Sequence, residues 1–219
     1  MGHRPSPKAT GTLTSTWALA APQPGVAMGD RPAAATAWYA VLCTGYGSPN
    51  VAATVGYIQD GDRRVVTDPG MVRHRSVILG PLHALGVPPE QVTDVVLSHH
   101  HPDHTLHAAL FPNARVHDHW AIYHGDQWHW RDADGYQLTP AIKLIRTPGH
   151  TPEDITCLVG TAQGVVAFTH LWNDAGSVGD RHAVDLAALH AGRRRVLAVA
   201  DVIVPGHGPA FIPGPATPH

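Results

Sequence analysis

Short apolar runs punctuated by Gly, Pro and Asp alternate along the chain with segments of helical period. AWYAVLCTG (37–45) and NVAATVGYIQ (50–59) are rich in β-branched and aromatic residues, and RRVVTDPG (63–70) follows the turn residues DGD, which predicts a meander of antiparallel strands. RHRSVILGPLHALG (73–86) places Ile78, Leu82 and Leu85 on one helical face and stops at Gly86 and Pro88. Beyond it the pattern predicts a strand in DVVLS (94–98), a short helix near TLHAALF (105–111) and a strand in AIKLIRTP (141–148). It then predicts a hairpin in ITCLVGTAQGVVAFT (155–169), a helix in VDLAALHAGRRRVLAVA (184–200) and a last strand in DVIVPGH (201–207). No internal repeat interrupts this order.

The first 34 residues show neither period and are rich in Pro, Gly, Ala, Ser and Thr, so they read as a loose leader (1–34) ahead of one domain (35–219). The length of 219 residues suits a single core. Formal net charge is -2 and the lysines are Lys8 and Lys143 alone, which leaves no broad basic surface for a phosphate backbone and argues against a nucleic-acid partner. Cys43 and Cys157 each sit in an apolar run and read as buried core thiols, which fits a reducing cytoplasm. No apolar run reaches the roughly 18 residues of a membrane span, and the piece TWALAAP is too short for a secretory signal, so no membrane partner is expected.

The histidines change the picture. His99, His150, His170 and His207 each fall just past the end of a predicted strand. In layered α/β folds the loops at one end of the strands converge, so these four groups predict one pocket. Within SHHHPDH, residues two apart in an extended segment point the same way: His99 and His101 face one metal while His100 faces elsewhere. Asp103 and His104 follow the turn imposed by Pro102 and address a second metal. Neutral imidazole and carboxylate are the donors zinc takes at catalytic sites with an open position. Two such ions about 3.5–4 Å apart clamp a hydroxide.

TDPG (67–70), HHHPDH (99–104), TPGHTPED (147–154) and VPGHGPAF (204–211), in this order and spacing, resemble the motifs of the metallo-beta-lactamase superfamily. The resemblance runs from about Cys43 to Phe211, and the tail is similar to that of the small metallo-beta-lactamase domain-containing proteins. It implies an α+β fold, a four-layer αββα sandwich with a metal site at one edge between the sheets. Carried over by position, it implies that His99, His101 and His150 hold one ion and that Asp103, His104 and His207 hold the other. Asp68 then orients a ligand or loop from outside the coordination sphere.

One position departs from the family. Where relatives commonly carry an aspartate that bridges both ions, this chain has His170 in VVAFTHLW. A carboxylate offers two oxygens, whereas neutral imidazole offers one lone pair and ends on one metal. His170 is expected to be a ligand, with hydroxide alone joining two zincs and a weaker second site.

The implied activity is metal-dependent hydrolysis: a zinc-bound hydroxide attacks a small ester, lactone, thioester or amide, including a beta-lactam, and Asp103 accepts a proton or orients the water. The cofactor expectation is two Zn2+ per chain, with iron as the alternative. Two other readings stay open, a mononuclear iron oxygenase of the persulfide dioxygenase type and a non-catalytic metal-binding relative. Glutamate supplies little alternative chemistry, since Glu90 and Glu153 are its only representatives.

Between the second and third motifs lies an aromatic stretch, HDHWAIYHGDQWHWRDADGY (117–136), read as a long loop. Trp120, Tyr123 and Trp128 from this stretch, with Trp172 two residues after His170, are candidate contacts for a small apolar or ring-bearing substrate. His117, His119, His124 and His129 repeat no ligand spacing and read as structural or solvated. RRR (193–195) reads as the exposed, functionless end of a helix. Twelve residues follow His207, leaving no room in this sequence for the C-terminal helical domain of the hydroxyacylglutathione hydrolases. Oligomeric state is left open.

Overall fold

In a computed structural model, the structure of residues 28–219 is described. β1 (Trp38–Cys43), β2 (Val55–Asp60) and β3 (Arg63–Thr67) form the expected antiparallel meander. They continue into β4 (Asp94–Val96) and β5 (Arg115–His117), both parallel to β3, and into β6 (Ala121–His124) and β7 (Gln127–Trp130), which return antiparallel. These seven strands lie side by side in sequence order. A second sheet runs β12 (Val202–Val204), β11 (Gly164–Phe168), β10 (Ile155–Thr161), β9 (Ile142–Arg146), β8 (Gln137–Thr139).

Period-2 alternation assigns the layers. Ile58, Val65 and Val96 of the first sheet pack between the sheets against Leu144, Cys157, Val159, Val166 and Phe168 of the second. Their neighbours Tyr57, Val66 and Val95 face outward onto Ile78 and Leu82 of α1 (Ser76–Ala84). Leu158, Val165 and Ala167 face outward onto Leu189 and Val196 of α3 (Leu186–Leu197). Both faces of the central strands are covered, which is why they read as continuous apolar runs. The result is the four-layer αββα sandwich.

Several local expectations change. The stretch 117–136 contains a hairpin: Gly125, at a φ of 61°, and Asp126 turn β6 into β7. The Gly-Asp pair between aromatic-rich runs is the signal for it. The helix expected over 105–111 is split, with α2 (Pro102–Thr105) ahead of a single 3-10 turn at Ala108–Leu110. Residues 28–34, read as the end of the leader, are docked: Asp30 pairs with Arg195, Arg31 donates to the Val199 carbonyl, and the Ala34 amide donates to Pro140. The remainder of that leader, 1–27, lies outside the described residues.

RRR is likewise structural rather than a solvated helix end. Arg193 is wholly buried and donates to the carbonyls of Leu171 and Val178, because α3 lies flat on the second sheet and turns this side chain inward. Arg195 ties Asp30 to Asp134. Cys43 and Cys157 are free and buried, as expected.

Candidate metal centre

Strand direction explains why distant histidines meet. β3 and β4 are parallel, so Asp68 and His99, each just past a strand end, emerge at the same edge of the first sheet. β9 and β11 both pair antiparallel with β10, and β12 is parallel to β11, so all three exit at one edge of the second sheet. Past those exits lie His150, His170 and His207.

The side chains converge closely. His101 Nδ1 lies 3.0 Å from His99 Nε2 and 3.0 Å from His150 Nε2. His170 Nε2 lies 3.1 Å from His207 Nε2. Asp103 Oδ2 is 3.5 Å from both His104 Nε2 and His207 Nε2. Among the described residues three groups have ligand atoms within 4.8 Å of one another: His99 with His150 and His170, His104 with His170 and His207, and, outside the cluster, His100 with Asp118 and His119. His170 belongs to the first two.

The outer ring nitrogens settle where the protons are. His104 Nδ1 faces Asp68 Oδ2 at 3.0 Å, His150 Nδ1 faces Asp180 Oδ2 at 2.5 Å, and His207 Nδ1 faces the Ala52 carbonyl at 2.9 Å. Each partner only accepts, so each Nδ1 is the donor and each neutral ring presents an Nε2 lone pair inward. His104 Nε2 and His170 Nδ1 are buried without any hydrogen-bond partner. Burial, reinforced by the neighbouring imidazoles, pushes the His99 and His170 pKa values far down. Burial also lowers His150 and His207 against the pull of Asp180 and the Ala52 carbonyl. Lone pairs that face one another in a dry, proton-poor space are destabilising unless a cation lies among them. This donor set fits a metal ion.

The backbone is shaped to bring these groups close. Asp68 takes a φ of 48°, a costly conformation for a non-glycine residue, and its Oδ1 accepts the Ser98 amide at 2.7 Å. At Gly206 a Cβ would fall 2.4 Å from His170 Cδ2, and at Gly70 it would fall 1.6 Å from the Asp103 carbonyl oxygen. Asp154, next to His99 on the side away from the cluster, has its pKa pushed up to about 7 by burial despite hydrogen bonds from Thr151.

His100 faces away from the cluster, 3.1 Å from Asp118 Oδ2. Asp118 is buried and also accepts from the Trp120 and Ala121 amides and the Tyr123 hydroxyl. Burial alone would raise its pKa, but these donors outweigh it and bring the value down to about 2.

The aromatic candidates divide. Trp120 donates to Tyr123, with its ring 6.2 Å from that of His100, and Trp128 is exposed on β7. Trp172 is a correction: it is wholly buried between the second sheet and α3, bonded to the Pro218 carbonyl and covered by Arg193, so it touches no substrate. β11 ends at Phe168, and beyond it Leu171 and Trp172 both pack into the layer under α3. The reading of the remaining histidines also needs refinement, since His117 is buried on Asp94 and His119 is buried beside His100. Sequence reasoning missed Asp180, Asp118 and Ser98. Asp180 lies 30 residues beyond its partner His150, in a segment with no motif.

The family model for the metallo-beta-lactamase superfamily matches residues 49–219. Metallo-beta-lactamase domain-containing protein 1 of Homo sapiens is 37% identical over 163 residues, covering 67% of this chain and 59% of that protein. The chain therefore spans less than two thirds of the length of that relative. Among solved structures, a putative metallo-beta-lactamase from Thermotoga maritima superposes with a TM-score of 0.67 at 21% identity, covering 81% of this chain and all of the other. A dizinc quorum-quenching lactonase in complex with a product, N-hexanoyl-L-homoserine, superposes at 0.59 with 16% identity, covering 76% and 79%. At these identities the two superpositions show a shared fold.

Proposed function

Because this chain belongs to the metallo-beta-lactamase superfamily, whose members are mostly metal-dependent hydrolases, we propose that it hydrolyses a small ester, lactone, thioester or amide, beta-lactams included, with two zinc ions. One observation carries the reading: His104, His150 and His207 have their Nδ1 protons taken by fixed acceptors, so their Nε2 lone pairs converge with His99, His101 and His170. The dizinc lactonase that shares the fold supports the choice of metal and of a lactone among the substrates.

His99, His101 and His150 would hold one ion, and Asp103, His104 and His207 the other. His170, within reach of both groups, would donate its single lone pair to one of the two ions. Bound zinc supplies an activated water at neutral pH and neutralises charge that develops on the substrate oxygen. Asp103, the carboxylate beside His104 and His207, orients the attacking water and accepts its proton. Asp68, Asp180 and the Ala52 carbonyl hold the imidazoles in the tautomer that binds metal. A cytoplasmic location suits the two free thiols, and no helix among the described residues is long and apolar enough to cross a membrane.

The test is elemental analysis of purified protein together with turnover of ester, lactone and beta-lactam panels. Nearly two zincs per chain with turnover is the expected result, and a protein loaded with two zincs that turns over none of these overturns the hydrolase reading. His170→Asp should tighten the second ion by about tenfold or more by restoring a bridging carboxylate, whereas His170→Ala should weaken it. Unchanged affinity in both variants would remove His170 from the centre.

A further inference from the structure

Beside the centre lies an open cleft of about 530 Å³, lined by His119, Trp120, Trp130, Arg131, Asp132 and Arg146. It lies on the side of His100 that is turned away from the cluster: the ring of His100, between His99 and His101 in the chain, is 5.8 Å from that of His119 and 6.2 Å from that of Trp120. Its apolar part is Trp120 and Trp130, whose rings are 6.2 Å apart.

The charge is the unusual part. Arg131 places Nε, Nη1 and Nη2 out of solvent with no hydrogen-bond partner, and its guanidinium lies 4.7 Å over the Tyr136 ring. A buried guanidinium with five donors and no acceptor is costly even with Asp118 and Asp132 close enough to act on its charge. Arg146, exposed at the end of β9, makes no side-chain hydrogen bond or ion pair among the described residues; its amide and carbonyl bond Asp134 and Arg195. Asp132 is the one carboxylate on the lining, and its Oδ1 already accepts the Asp134 amide. The lining thus carries two arginines and a single carboxylate beside two indole rings.

We propose that this cleft is the specificity subsite of the enzyme and receives a carboxylate carried on a flat or apolar body. The proposal rests on the hydrolase reading for its place in turnover, and makes the preferred substrates acidic esters, lactones or amides whose scissile bond lies over the histidine centre. Trp120 and Trp130 stack the apolar part. Arg146 pairs with the carboxylate, and the buried charge of Arg131 adds to the field beneath it.

The first experiment measures binding by calorimetry, using 1-naphthoate and the isosteric neutral 1-naphthamide with the zinc-loaded protein, its Arg146→Gln variant and its Arg146→Lys variant. The original protein should prefer the carboxylate by roughly tenfold, Arg146→Gln should abolish that preference, and Arg146→Lys should restore part of it. A preference that persists in Arg146→Gln would mean that the zinc centre holds the carboxylate, and would overturn the proposal, as would equal binding of the two probes to the original protein. The second experiment compares turnover of mono-p-nitrophenyl glutarate with that of p-nitrophenyl pentanoate. Their kcat/KM ratio should favour the anionic ester and fall in Arg146→Gln. Failure of both esters to react counts against the hydrolase reading, while naphthoate binding still decides the cleft.

Discussion

β4 carries Asp94 at its entry, and just beyond its exit the chain carries Ser98 and His99; both ends are buried and polar, and they are completed in opposite ways. At the entry, Asp94 accepts from Arg115 Nε and Nη2 at 2.8 and 2.6 Å, from His117 Nε2 at 2.8 Å and from the Thr93 hydroxyl at 2.7 Å. Burial alone would raise its pKa, but these partners outweigh burial and lower it. At the exit, imidazole nitrogens face one another, and His104 Nε2 and His170 Nδ1 have no hydrogen-bond partner. A buried cluster that pairs its own charges is structural, whereas one that fixes its outer protons and leaves its inner lone pairs bare requires a cation.

The largest effect should come from the exit. Zinc at about a thousand times its dissociation constant should stabilise the fold by about 4 kcal/mol, since it binds the folded centre and not the dispersed histidines of the unfolded chain. Thermal unfolding with zinc and with chelator measures this, and coincident melting curves would remove the distinction between the two ends. Asp94→Ala comes next. It strands Arg115 and His117 and should cost about 3 kcal/mol by urea denaturation, with zinc content per folded chain retained. Loss of zinc instead would show that the entry cluster shapes the centre.

The smallest effect sharpens the comparison, because Asp118 is a self-completed group at the exit end. Its folded pKa of about 2 lies below the ordinary carboxylate value of 3.8. Its contribution, on the order of 2 kcal/mol, is therefore fully present above about pH 4 and lost as pH falls toward 2. The stability gap between the original protein and Asp118→Asn should narrow over that window. A constant gap would mean that its four donors do not hold the charged form.

How much of this was legible in the sequence differs by layer. The meander, α1, β9 to β12 and α3 could be read because each repeats a period long enough to be seen against turn residues. The β6–β7 hairpin and the docked residues 28–34 were harder: the first hides its turn in a run of aromatics, and the second has no period because Asp30 and Arg31 are held by partners from α3 onward. The metal-binding candidates were legible from SHHHPDH and three strand-end histidines, whereas Asp180, Asp118 and the cleft arginines carry no pattern. Trp172 misleads for a related reason, since proximity in sequence to His170 says nothing about the layer into which it packs, which is that under α3.

By itself, then, the sequence determined which residues alternate, where the strands end, and that imidazoles and carboxylates stand at those ends. Those properties belong to neighbouring residues and to the 2-residue period of a strand. Only the tertiary structure decided that β3, β4, β9, β11 and β12 open at one rim, that His170 reaches both histidine groups, and that Asp68, Asp180 and Ala52 fix the tautomers. Those properties depend on contacts between residues tens of positions apart, and packing two twisted sheets face to face is what brings such residues within hydrogen-bonding distance.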